Sequence, residues 1–417
     1  MSAVMKKEVM ESWKTPAIMG SIALIVFVFF GILGRPTNVS FQLSGPKEIV
    51  QLGSLDVSSQ LLGTISGIIL LLISSTVAFQ VKKNVKVSIW FSILFGAISL
   101  VALLGWIAAD NVVPVAFILG SALVLSVPIA LGAMAGVMSE RVGVVNIAIE
   151  GQLLTGAFMA AVVSTITGNQ IVGLISAMIT AALFSSLLAV MAIRYLAQQI
   201  IVGVVLNVLA IGITNFLYQQ WLTENASTVN SPGTLPIIPI PVLSDIPILG
   251  PVLFQNRITV FLSIGIVILL WFVLFKTKLG LRARSVGENP LAADTVGINV
   301  GKTRFWWVTM GGLLAGLGGA TLTIGGSGSF GAEMSGGLGF IALAVMILGR
   351  WHPVYASAAA LLFGFSIILR IWANQVSPGI PTDFIIMVPY LVTLIAVVGF
   401  VGRSRPPAAD GIPYVKG

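Results

Sequence analysis

Cysteine is absent from the 417 residues, which excludes disulfide frameworks, thiolate metal sites and cysteine nucleophiles. Histidine occurs once, as His352, and a single imidazole does not make a metal site. Charge is scarce: 9% of residues are Asp, Glu, Lys or Arg, against roughly a quarter in soluble domains. So few charges cannot clothe a soluble domain of any size. No segment combines a nucleophile with a base and an acid, which argues against an enzyme embedded in a membrane. The formal charge of +8 is scattered over many loops and never forms the contiguous stripe that nucleic acid needs, so no nucleic acid is expected as a partner.

What is present is apolar sequence. Hydrophobic residues make up 57% of the chain, with a mean hydropathy of +1.04. Apolar stretches fall near residues 17–33, 61–80, 88–108, 113–137, 144–166, 171–193, 199–220, 258–275, 305–325, 337–349, 354–371 and 384–401. A span needs about 20 such residues. The expectation is therefore an all-α polytopic membrane protein of about 10–12 transmembrane helices. The stretch at 337–349 is short and follows the glycine-dense Gly325 to Gly339, so a broken or re-entrant segment is expected there. The basic run ahead of residue 17 is followed by no small-residue cleavage site, so the first stretch reads as a retained helix. When alternation assigns each Lys and Arg to a side, 18 of the 22 fall with the N-terminus and only Arg35, Lys47, Arg257 and Arg370 fall opposite. By the positive-inside rule both termini are expected to be cytoplasmic.

Three regions stand out by local chemistry. The loop from Lys276 to Arg304 holds six of the 22 basic residues. Within it Asn289 precedes Pro290, and Gly297 follows at the other end, as expected of a short capped helix from about Pro290 to Val296. Ala292 and Ala293 on it would allow close approach by a partner's groove, while Lys278, Arg282, Arg284, Lys302 and Arg304 hold its ends near anionic lipid headgroups. Gly297 to Thr303 approaches a phosphate-binding loop, but three residues instead of four separate its glycines and no buried strand precedes it. In the second region, Glu140 and Arg141 mark the inner interface. Asn146 and Glu150, four apart, are expected on one helix face, and a carboxylate at membrane depth costs a few kcal/mol unless it meets a polar partner or a water-filled path. Glu150 is thus a functional residue or a tie between helices. Asn207 and Asn215, eight apart on another helix, are placed to bond either a solute or neighbouring helices. The third region is the external connection from Trp221 to Arg257, where six prolines preclude regular helix. It reads as extended chain whose Ile237, Ile238, Val242, Leu243, Ile246 and Leu249 pack on the bundle, with a docking protein as the second reading. The glycine pairs Gly63/Gly67, Gly132/Gly136 and Gly312/Gly316 read as helix-packing contacts.

Three stretches together resemble the permease subunits of bacterial ABC importers of the branched-chain amino acid and simple sugar group, and within it the nucleoside-type branch: Glu140 to Phe158, Gly287 to Val300, and Gly336 to Trp351. The proline-rich Pro232 to Phe254 is also similar to the external segment of that branch. The resemblance covers residues 113–405 as a permease core, leaving 1–112 as accessory N-terminal segments and 406–417 as a cytoplasmic tail. It implies a second homologous permease subunit, a cytoplasmic ABC ATPase that carries ATP and Mg, and an external substrate-binding lipoprotein, with no cofactor in this chain. It further implies that Asn289, Pro290, Ala292, Ala293 and Gly297 form the coupling helix, and that Asn146, Glu150 and Gln152 lie beside the translocation route, to which Asn207 and Asn215 are added from their spacing. A path with few charges suits a nucleoside. A ribose-like sugar is the nearest rival, and an ion-coupled secondary transporter using Glu150 is a more distant one.

Overall fold

A computed structural model describes residues 13–45, 51–85, 87–376 and 405–416. The stretch at 384–401, with Asp383 and Pro389, lies outside the described residues, as do Lys6, Lys7, Lys47, Lys86 and Arg403. Ten helices among the described residues are long and apolar enough to cross a membrane. Each long stretch within the described range carries one of them, although the stretch at 144–166 is helical only from Ile149 on. The chain forms two compact units.

The first unit is built on the helices before residue 118. Helix α1 (Lys14–Ile25) runs into a π-helical turn, Val26–Ile32. Against it packs α2 (Ser59–Lys82), whose Gly63 and Gly67 lie directly on the backbones of Phe30 and Phe27. The α3 helix (Ile89–Ile107) completes the layer, with Trp106 stacked on Phe30 at 5.1 Å between ring centroids. A small sheet, absent from the all-helical expectation, joins the ends of these helices. Its β1 (Asn38–Gln42) pairs antiparallel with β2 (Ser54–Ser58) and parallel with β3 (Val112–Pro114). The polar linkers supply backbone groups that must be paired near the bilayer.

The second unit carries α4 (Val115–Glu140), α5 (Ile149–Thr167), α6 (Gln170–Ile193) and α7 (Gln199–Leu217). A one-turn α8 (Ala226–Val229) follows, then α9 (Ile258–Lys276), α10 (Lys278–Glu288), α11 (Pro290–Thr295), α12 (Val300–Leu322), α13 (Leu338–Leu348) and α14 (Pro353–Val376), of which the residues up to Ile368 belong to this unit. Helices α5, α6 and α12 form its densest layer. Gly156 and Gly316 meet backbone to backbone there, so close that a Cβ on Gly156 would stand 2.8 Å from the Gly316 Cα, the approach that small residues permit between membrane helices. Ser185 fastens the same layer by donating to the Val308 carbonyl at 2.8 Å. At 11 residues, α13 extends about 16 Å and does not traverse a hydrocarbon core of about 30 Å.

Two expectations are corrected. The stretch 144–166 is not one helix: α5 begins at Ile149, and Arg141 to Ala148 are unwound, with Gly143 at φ +82°. Asn146 therefore lies outside the helix and shares no face with Glu150. The external connection forms a short hairpin, β4 (Ile237–Pro239) on β5 (Gln255–Arg257), yet Ile237, Ile238, Val242, Leu243, Ile246 and Leu249 are all exposed. The proline-fixed backbone projects these side chains outward instead of laying them on the bundle.

Candidate functional site

At the basic end of the second unit, α10, α11 and α12 make an elbow whose three turns are each capped by a short polar side chain. The Thr277 hydroxyl accepts from Gly280 N at 3.2 Å, Asn289 Oδ1 from Ala292 N at 3.0 Å, and Asn299 Oδ1 from Lys302 N at 2.9 Å. Pro290 occupies the first helical position of α11, where its missing N–H leaves nothing unpaired. The helix closes as a Schellman motif: Gly297 N donates to Asp294 O at 2.9 Å and Ile298 N to Ala293 O at 3.1 Å, with Gly297 at φ +83°, a conformation that favours glycine. The expected helix is present, ending at Thr295 with Val296 as its C-cap.

The orientation of the elbow differs from expectation. Ala293 is 2% exposed and packs with Val286, Val300 and Val308, so it roots the knuckle on its own chain instead of standing on the open surface. Ala292 faces outward, and beside it stand Leu291 at 65% and Val296 at 75% exposure. These two apolar side chains, more than the small Ala292, form the outward surface of the knuckle. Val286, Ala293 and Val300 lie on three successive helices, α10, α11 and α12, and it is the two turns between them that bring these side chains into one cluster, so no helical spacing in the sequence announces it. Arg304 is also corrected: it is buried and donates to the Ile412 carbonyl at 3.0 Å instead of reaching for lipid. The glycine-rich start of α12 follows α11 and not a strand, so it makes no phosphate cradle.

The polar residues placed beside the route are bonded within the chain. Glu150, at the first turn of α5, is buried, and its Oε1 accepts from Ser335 Oγ at 2.6 Å and Gly337 N at 2.8 Å, while Oε2 accepts from Gly339 N at 2.6 Å. Every contact is a donor, as the acceptor-only chemistry of a carboxylate requires, and two come from the N-terminal end of α13, where the helix dipole favours negative charge. Gly339 lies so close that a Cβ would collide with the Glu150 backbone. Asn146 and Gln152 exchange two hydrogen bonds of 3.3 Å, and Asn146 also donates to Ser139 Oγ at 3.3 Å. Asn207 clamps the unwound segment, donating to Ile147 O and accepting from Gly151 N, both at 2.8 Å. Unwound backbone at membrane depth needs such partners, since lipid offers none. Asn215 stands apart at the other end of α7, donating to Glu333 Oε1 at 2.9 Å while its own Oδ1 has no hydrogen-bond partner.

Near the elbow, Trp351 Nε1 donates to Glu140 Oε2 at 2.5 Å. Arg141 donates to Trp351 O at 3.0 Å and Arg350 O at 3.3 Å. Burial and the nearby Arg284 hold the Arg141 guanidinium below its usual range, and burial together with Arg141 lowers His352. His352 is stacked between Phe275 at 4.9 Å and Tyr355 at 4.4 Å. No group of three His, Asp or Glu able to hold a metal occurs among the described residues.

Residues 118–397 match the profile of the family described as branched-chain amino acid transport system / permease component. The chain is similar to the guanosine ABC transporter permease protein NupQ of Bacillus subtilis, 41% identical over 317 residues that cover 74% of this chain and 99% of that protein. It is similar to the nucleoside ABC transporter permease protein NupC of Lactococcus lactis, 40% identical over 72% of this chain and 96% of NupC. A putative glucose ABC transporter permease protein of Haloferax volcanii, TsgC13, is more distant at 33% identity, over 59% of this chain and 74% of its own length. No solved structure matches. With ten apolar spans among the described residues and these relatives, the chain belongs to the branched-chain amino acid transport system / permease component family, as a multi-pass permease subunit of the bacterial plasma membrane that is not itself an enzyme.

Proposed function

We propose that this chain forms part of the translocation pathway of an ATP-driven nucleoside importer, with α11 as the point where a separate cytoplasmic ATPase, carrying ATP and Mg, acts on it. The observation that carries the reading is the elbow. A six-residue helix is held by Asn289 and the Gly297 turn, rooted by Ala293, and presents Leu291 and Val296 outward. An exposed apolar pair on a rigid mount between charged neighbours suits an apolar notch in a protein partner. The nucleoside assignment is supported by NupQ and NupC, each matched over nearly its whole length.

The other parts follow from the same reading. A second homologous permease completes the pathway, and the apolar face of α7, with Val205, Val208 and Phe216 exposed, is available to it or to lipid. The exposed apolar side chains of the proline-rich connection receive the external binding lipoprotein, and both termini lie in the cytoplasm. Asn146, Glu150, Gln152 and Asn207 shape the route by holding its backbone, whereas Asn215, with an unpartnered Oδ1 beside Glu333, is the residue of the five that meets solute. Labelled guanosine uptake into cells expressing the whole transporter tests the central claim. Leu291→Glu with Val296→Glu is expected to leave the protein at its normal level in the membrane and to lower uptake more than about tenfold, the loss expected when a charge is forced into an apolar contact worth about 1.4 kcal/mol or more. Unchanged uptake, or uptake by the purified chain alone on an ion gradient, overturns the reading.

A further inference from the structure

The segment after residue 405 lies along the elbow and is fastened at several points. Ala408 N donates to Glu288 Oε2 at 3.3 Å and Ala409 N to Gly287 O at 2.9 Å, just ahead of α11. Arg304 of α12 donates to Ile412 O at 3.0 Å. Pro407 and Ala409 are buried, and the Tyr414 ring packs on the cluster that contains Ala293, Val286 and Val300. Space for this segment depends on Gly143, where a Cβ would stand 2.8 Å from Ala409 O and from Arg304 Nη2. The segment therefore touches α10, α12, the unwound turn after α4 and the residues that root α11.

At its centre two carboxyl groups meet. The carboxyl group of Asp410 stands beside that of Glu140, the last residue of α4, close enough for the two to share a proton. Asp410 Oδ1 is buried and receives no hydrogen bond from an amide or hydroxyl group. Two carboxylates in contact repel, while one proton between them turns the contact into a strong hydrogen bond. Glu140 Oε2 already accepts from Trp351. Arg304 is the cation facing Asp410, and its Nε and Nη2 are buried without partners. Arg141 and Glu288 stand around the other end of the segment, with Arg284 beside them, and Tyr414 lies on the segment itself.

We propose that residues 405–416 are a strap that braces the coupling elbow against the end of α4, latched by one proton shared between Glu140 and Asp410, so that Asp410 is a positioning residue for ATP-driven transport and alkaline conditions release it. Burial pushes Asp410 up to about 7, with the bond to Glu140 and the charge of Arg304 opposing. The sign follows: docking takes up a proton, is strongest below the ordinary aspartate range, and is lost as pH rises to about 7. One linked proton changes the docking constant by about tenfold per pH unit across that window.

The strap can be read without reference to transport, and only its effect on uptake rests on the function proposed above. Because the chain has no cysteine, a spin label on Ile412→Cys, or on Val415→Cys as a second position, reports the strap alone in the full transporter in lipid nanodiscs. The expected result is an immobilised label at low pH that becomes mobile as pH rises from the ordinary aspartate range to about 7. Asp410→Asn donates an amide hydrogen to the Glu140 carboxylate and titrates no proton there, so its label is expected to stay immobile throughout. Nucleoside uptake should fall with rising pH in the native chain and lose that dependence in Asp410→Asn. Label mobility that ignores pH, or an unchanged midpoint in Asp410→Asn, overturns the latch. A latch that responds while uptake ignores both pH and the variant overturns the bracing role, and a transporter with no nucleoside uptake at any pH fails on function with the label reading intact.

Discussion

Replacing Glu150 with glutamine tests whether this carboxylate is a tie or a carrier of solute or ions. The side chain keeps its size, and its carbonyl oxygen still accepts from one or two of the three donors at Ser335, Gly337 and Gly339. Its NH2 group now faces at least one N–H. Losing a charge-assisted bond costs about 1.5–3 kcal/mol, and losing the favourable charge at a buried helix N-terminus adds about 1–2 kcal/mol. A local penalty near 3 kcal/mol raises the open population of the α13 N-terminus roughly a hundredfold, at about 1.4 kcal/mol per decade. Hydrogen exchange at the Gly337 and Gly339 amides in nanodiscs should therefore accelerate by about that factor, with a lower unfolding temperature for the second unit. Glu150→Ala, which leaves three buried donors bare, should be worse still and yield little folded protein. The reasoning is refuted if Glu150→Gln exchanges at the native rate and melts normally while uptake disappears, since the carboxylate would then be spent on the transported species.

Two further substitutions separate structure from contact. Asn207→Asp keeps the acceptor for Gly151 N but sets a carboxylate against the Ile147 carbonyl; it should destabilise the second unit by about 2–3 kcal/mol, seen as a lower melting temperature, whereas a solute-binding Asn207 would lose uptake at full stability. Ala293→Glu buries a charge among Val286, Val300 and Val308 and should cut the amount of folded protein in the membrane, while Leu291→Glu should not; equal yields for both would show that the face of α11 is assigned wrongly.

The spans were legible because crossing a bilayer demands a length of apolar residues that nothing else in a chain of this composition imitates. The elbow was legible because its signals are local: Asn289 two residues before Leu291, Pro290 at the first turn and Gly297 at the exit are read within one turn of where they act. The unwound segment before α5 was not. Val142 to Ile149 is almost continuously apolar, so hydropathy runs straight through it, and the groups that pair its backbone come from Asn207, 60 positions along the chain from Ile147. The strap was hidden for the same reason: its tail looks like polar residue beyond the last span, and only Glu140, Gly287 and Arg304 brought together in space make a seat for it. The partners of Asn146, Gln152 and Glu150 likewise depend on tertiary approach, which is why membrane-depth polarity alone left route and tie unresolved.

The unwound segment and the short α13 explain each other. Glu150 meets the N-terminal amides of α13, and Arg141, nine positions earlier, donates to the carbonyls of Arg350 and Trp351 just past its C-terminal end. A negative group at the positive end and a positive group at the negative end neutralise the dipole of a helix too short to place either end in water. From Gly337 to Arg350 that helix rises about 18–20 Å, whereas nine residues wound as α-helix would separate Arg141 from Glu150 by only about 13–14 Å. An unwound chain, rising up to about 3.3 Å per residue, supplies the difference. Continuous helix from α4 into α5 would therefore satisfy one end of α13 and abandon the other. Opening the chain at Gly143 satisfies both, at the cost of bare backbone at Ile147 and Gly151 that the Asn207 carboxamide then takes up.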